Sequence, residues 1–179
     1  MTKLSELSPE ESSLLAGLLY RAGIWLSYAD DEHGETDDIR EMKALEHIIE
    51  SLAKLGDRSD FVREIAQETV SRRKDWPLWV QQSFDILPDC EVALALLQKK
   101  VNSRERKDYC YMLVHVAETV AAAYGEFGME AENENILSGF LGKISDKLKG
   151  NTQKIDFMNI SPAEQDAVEN LRNALRMDE

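Results

Sequence analysis

The sharpest chemical feature of the sequence is a run of carboxylates. Asp30, Asp31, Glu32, Glu35, Asp37, Asp38 and Glu41 place seven acids within twelve residues. So many like charges repel one another, and either solvent screening or a bound cation must relieve that repulsion. Hard cations such as Ca²⁺ or Mg²⁺ take oxygen ligands, and residues 30–41 have the twelve-residue length of an EF-hand loop. Asp30, Glu32 and Glu41 fit its first, third and last positions. Glu35, however, stands where the sharp turn needs glycine, and Asp37 where an aliphatic residue is usual, so the EF-hand pattern is not met. The competing reading is a solvated loop whose Asp37 and Asp38 complement the N-terminal dipole of a following helix. A second acidic stretch holds Glu126, Glu130, Glu132 and Glu134. The expected ligand set for a divalent cation is therefore Asp30, Asp31, Glu32 and Glu41, with Glu126 and Glu132 contributed from the second stretch if the two halves fold alike.

Two other constellations could do chemistry. His47/Glu50 and His115/Glu118 are HxxE pairs, and residues at i and i+3 share a helical face, so either pair could chelate a transition metal. Carboxylate-bridged di-metal bundles use the reverse order, Glu-x-x-His, with further glutamates on other helices. A histidine and a glutamate inside an apolar helix more often satisfy each other, and that is the expectation for His115 and Glu118. Cys90 and Cys110 fit neither a disulfide framework nor a CxxC metal site, so buried inert thiols in a reducing, cytoplasmic compartment are expected. No phosphate-binding glycine motif is present. Lys99, Lys100, Arg104, Arg106 and Lys107 form a basic cluster interrupted by Glu105 and Asp108, which reads as a solvated helix junction or a contact for an acidic partner.

The elements that position these groups read as helices throughout. Ser8-Pro9-Glu10-Glu11 combines a cap, a first-turn proline and a capping box. The following run, Leu14 to Ala29, has Arg21 as its only charge, as a buried central helix would. Met42, Leu45, Ile48, Ile49 and Leu52 follow one helical face from about Asp37 to Leu55. Ser59 is expected to cap a third helix with Phe61, Val62, Ile65, Ala66 and Val70 on its buried side, and Asp75 a short one carrying Trp76, Trp79, Val80 and Phe84. Pro88 is expected to end that short helix. A second apolar helix starts at Asn102 or Ser103 and runs through Tyr109–Tyr124, followed by an amphipathic helix bearing Ile136, Leu137, Phe140, Leu141, Ile144 and Leu148. Ser161-Pro162-Ala163-Glu164 opens a final helix as the first was opened.

The chain is thus expected to be a single all-α domain of seven to eight helices around two long, buried central ones. Its halves share one plan: apolar helix, acidic glycine-bearing loop, amphipathic helix. Residues 8–55 and 103–148 are the expected repeats, with a helical insert at 59–101 and a C-terminal helix at 161–176. Shifting the second helix by 95 positions pairs Met42 with Leu137, Leu45 with Phe140 and Ile49 with Ile144. True duplication would pack the two central helices as a pseudo-twofold pair.

At Ala29-Asp30-Asp31 with Gly34, then Asp38-Ile39-Arg40-Glu41-Met42-Lys43-Ala44-Leu45, the sequence resembles the tellurite-resistance TerB-like family. The second half carries the likeness at Ala123-Tyr124-Gly125 and Glu132-Asn133-Glu134-Asn135-Ile136-Leu137, with Tyr124 where the family has Asp. The likeness spans about Leu14 to Leu148. It implies a duplicated helical fold, acidic loops that bind divalent cations, and a role in stress response rather than catalysis.

Charge bounds the partners. With 21 Lys+Arg against 34 Asp+Glu, the formal charge is −13. Such a surface repels phosphate backbones and anionic lipids, so nucleic acid and membrane insertion are not expected, whereas a protein partner is.

Overall fold

The computed structural model describes residues 3–29, 35–54, 59–126 and 161–177; at 35–41, 44 and 122–126 it describes the backbone alone. The described residues are helical almost throughout and contain no strand. Seven α-helices are present among them: α1 (Pro9–Ser27), α2 (Glu35–Lys54), α3 (Asp60–Ser71), α4 (Trp76–Gln81), α5 (Ile86–Lys100), α6 (Ser103–Glu126) and α7 (Pro162–Ala174). Short 3-10 turns at Leu4–Glu6, Arg73–Asp75 and Ser83–Asp85 link or precede them. The all-α bundle expected from the sequence is what forms.

Local chemistry sets the helix starts. Ser8 Oγ accepts from the Glu11 amide at 3.2 Å, and the Glu11 carboxylate accepts from the Ser8 amide at 2.8 Å. The same reciprocal box closes α7 at Ser161 and Glu164. Each box satisfies two backbone donors that the first turn leaves without intrahelical partners. Ser59 caps α3 as expected, accepting from the Val62 amide.

The segment between α3 and α5 departs from expectation. Asp75 precedes α4 but makes no side-chain cap. The short helix stops at Gln81, and a 3-10 turn redirects the chain before α5 begins at Ile86. Pro88 therefore lies in the first turn of α5 rather than ending the helix before it. A proline costs little there, because first-turn amides have no intrahelical acceptor. The redirection also turns Phe84 outward: it is exposed and stacks on Tyr28, ring centroids 5.7 Å apart.

At the centre, α1 and α6 pack directly on each other, with α2, α3, α5 and α7 also against α6, and α4 against α1 alone of the two. α5 runs antiparallel to α1, since Arg21 meets Asp89 near the start of α5 and Glu11 meets Lys100 at its end. The core joins Leu15, Leu18, Leu19 and Leu26 of α1 to Met112, Leu113, Val116 and Val120 of α6. Trp76 and Trp79 are buried; Tyr20 stacks on Trp76 at 4.5 Å, and Trp76 Nε1 donates to the Thr69 carbonyl. No described helix is long and apolar enough to cross a membrane. The expected amphipathic helix with Ile136 to Leu148 lies outside the described residues.

Candidate functional site

The two central helices correspond residue by residue at an offset of 94. α1 begins at Pro9 and α6 at Ser103. Ser8 and Glu11, the box of α1, correspond to Asn102 and Glu105. Those two residues form the same reciprocal arrangement: Asn102 Oδ1 accepts from the Glu105 amide at 2.9 Å, and Glu105 accepts from the Asn102 amide at 3.4 Å. Leu15 corresponds to Tyr109, and these two touch: Tyr109 Oη donates to the Leu15 carbonyl at 2.9 Å. Contact between equivalent residues is what a pseudo-twofold axis passing between two helices requires. The lone buried cation of α1, Arg21, corresponds to the buried imidazole of α6, His115.

Each of these buried polar groups draws in partners from elsewhere. The Arg21 guanidinium donates to Asp89 Oδ2 at 2.6 Å and to the Gln82 carbonyl, while its Nε is left without a partner. Asp89 is about a third exposed, so the anion of this pair keeps contact with water. On α6, His115 Nδ1 approaches Glu118 Oε2 to 3.1 Å without the alignment of a hydrogen bond. Arg172 of α7 then donates to Glu118 Oε1 at 2.6 Å. Burial alone pushes the Glu118 carboxyl upward, but His115 and Arg172 together outweigh it and leave its pKa below the ordinary value.

This arrangement decides the HxxE pairs. His115 and Glu118 do meet, as expected, but the guanidinium on Glu118 occupies the place a cation would take. His47 is exposed on α2, and Glu50 pairs with Arg73. Among the described residues no group of three or more His, Cys, Asp or Glu side chains is placed to hold a metal ion. Burial pushes the thiols up, Cys90 to about 12 and Cys110 to about 11, which leaves both in the unreactive protonated form.

The sequence-expected cation ligands are not brought into view. Asp30, Asp31, Glu32 and Glu132 lie outside the described residues. Glu41 and Glu126 have positions on α2 and α6, with their side chains outside the description. Reading the sequence missed two participants, Asp89 and Arg172. A lone arginine in an apolar helix signals that a buried anion must exist, and Arg172 adjoins the apolar positions Val168, Leu171 and Leu175 of α7. Neither signal names its partner, which lies 68 and 54 residues away respectively.

No protein-family model matches the chain, and comparisons with curated proteins and with solved structures found no match.

Proposed function

We propose that this chain is a non-enzymatic, TerB-like cytoplasmic protein that acts by binding. Its ligand is a divalent cation, Ca²⁺ or Mg²⁺, together with or in place of a protein partner, held at the acidic segments that follow α1 and α6. A role in stress response, of the kind tellurite resistance represents, accompanies that reading. The observation that carries it is the correspondence of α1 with α6: start, capping box, mutual contact and buried polar position all recur at one offset. At that offset Glu126 corresponds to Glu32 and Glu132 to Asp38, so two acids of the first stretch have acidic counterparts in the second. The alternative, a metal-dependent enzyme built on the HxxE pairs, is disfavoured by the guanidinium of Arg172 on Glu118.

The test is thermal unfolding of chelator-treated protein with a panel of divalent ions at fixed ionic strength. A ligand that binds the native state alone stabilises it by about 2.7 kcal/mol at a hundredfold excess over Kd. A shift with Ca²⁺ or Mg²⁺, abolished by Asp30→Asn with Asp31→Asn, supports the site. A shift that survives those substitutions places the ion elsewhere, and no shift with any ion overturns the cation reading.

A further inference from the structure

The two central helices also differ in the charge of their first turns. α1 opens with Pro9-Glu10-Glu11, putting carboxylates where the helix dipole is positive. The corresponding stretch of α6 is Ser103-Arg104-Glu105-Arg106-Lys107, which sets three cations where positive charge is unfavourable. Its one acid, Glu105, is buried and engaged in the capping box. Lys99 and Lys100 end α5 just upstream. Nearby carboxylates meet part of this corner: Lys100 reaches Glu11 at 3.4 Å and Arg104 reaches Asp108 at 4.0 Å. Among the described residues Lys99, Arg106 and Lys107 have no ion pair. Arg21, Arg63, Arg72, Arg73 and Arg172 are each paired with an acid, while Lys3, Lys43, Lys54, Lys74 and Arg176 are cations without an ion pair elsewhere among the described residues. In a chain of formal charge −13, this corner concentrates positive charge.

Among the described residues, no element covers the same side of α6 at Tyr111. Residues 104, 107, 108 and 111 share a face at i, i+3, i+4 and i+7. Tyr111 corresponds to Gly17 of α1, and Gly17 is covered by α4, where a Cβ would come within 3.1 Å of the Trp79 indole. No described element plays the part of α4 on α6, and Tyr111 stands 48% exposed.

We propose that this face of α6, with the last turn of α5, is a docking surface for an acidic polypeptide segment of a protein partner. Carboxylates of the segment meet Lys99, Arg104 and Lys107, and an apolar side chain lies against the Tyr111 ring. An acidic peptide is favoured over nucleic acid because the rest of the molecule is anionic, and a backbone with a charge at every nucleotide would suffer the greater repulsion. The surface lies at the opposite end of α6 from the acidic segment that follows it, and it stands whether or not a cation binds there.

The experiment is fluorescence anisotropy at low salt with a short labelled Glu/Asp-rich peptide carrying a central leucine. Its Gln/Asn counterpart and a single-stranded oligothymidylate of the same length serve as comparisons. Selective binding of the acidic peptide, weakened by added salt, is expected. Arg104→Glu with Lys107→Glu is expected to weaken it by roughly tenfold or more. That double variant puts acids at a helix N-terminus, so its melting temperature is expected to be no lower than the parent's. Should it prove unstable, Arg104→Gln with Lys107→Gln serves in its place, and Tyr111→Ala reads the apolar contact separately. Absence of peptide binding, equal binding by the folded charge variants, or tighter binding of the oligothymidylate overturns the proposal.

Discussion

α1 and α6 have the same start and the same capping logic, and both are largely buried from their seventh residue onward, yet they are held in the bundle by different means. α1 is clamped by the insert: α4 lies over Gly17, and α5 supplies Asp89 to Arg21. α6 has no covering element over the equivalent Tyr111, and its buried polar position is served from its own next turn by Glu118 and then from α7 by Arg172. The lesson is that two helices share local features readily, because caps and apolar faces are decided within a few residues. Their polar interiors differ with whatever packs against them.

Breaking the clamp on α1 gives the largest expected effect. Asp89→Ala leaves the Arg21 guanidinium buried with the Gln82 carbonyl alone and is expected to destabilise the fold by about 3–5 kcal/mol in urea unfolding. Arg21→Met is expected to cost less, because Asp89 is exposed enough to be solvated once it loses its partner. If the two substitutions cost the same, Arg21 matters for its shape rather than its charge.

On α6 the corresponding test is Arg172→Ala, which leaves Glu118 buried beside His115. About 2–3 kcal/mol is expected, below the full value for a buried pair because the arginine side chain is 36% exposed. Acid should narrow the gap between this variant and the parent. The folded state lowers the Glu118 pKa, so that carboxylate's contribution is complete above the ordinary carboxylate range and is lost as pH falls through its depressed folded value. A gap that is unchanged from neutral pH into strong acid would show that the ion pair does not fasten α7 to α6.

A third contrast lies at Gly23 and its equivalent, Ala117. At Gly23 a Cβ would meet Leu45 Cδ1 at 2.4 Å, and Leu45 is itself fully buried. Gly23→Ala must displace that side chain, an overpacking cost of about 1–3 kcal/mol against a gain of about 1 kcal/mol in helix propensity. A net loss is expected, relieved by Leu45→Val. Ala117→Gly should cost about 1 kcal/mol through propensity alone, and Leu45→Val should not rescue it.

The sequence reading succeeded where structure is local and fell short where it is not. The boxes at Ser8 and Ser161 each need four residues, and both form as read. Pro88 was misplaced because a proline marks a helix start or a helix end depending on where the preceding turn closes, and the 3-10 turn at Ser83–Asp85 has no strong signature. The likeness of α1 and α6 as two apolar helices was legible, but their register was not, since Tyr109 stands for Leu15 and His115 for Arg21. Those pairs share a place rather than a residue type. The expected ligand set falls on residues or side chains outside the description, so the site's chemistry still rests on the carboxylate pattern from Asp30 to Glu41.

The smallest effect tests whether the basic opening of α6 is a cost the fold carries. Arg104→Glu alone places an acid at the second residue of α6, where α1 already has Glu10. Replacing the unfavourable cation should stabilise the helix by about 0.3–1 kcal/mol at low ionic strength. The substitution gives up a long contact to Asp108 and sets a like charge four residues from it, which offsets part of the gain. Glu10→Arg at the equivalent position of α1 should destabilise by a similar amount, and both effects should shrink in salt as surface charges are screened. Opposite signs at the two positions would mean that α6 keeps its cations at the expense of stability, for a reason other than folding. A loss of stability in both variants would instead make Arg104 a structural residue, and the two first turns would then differ because their surroundings do.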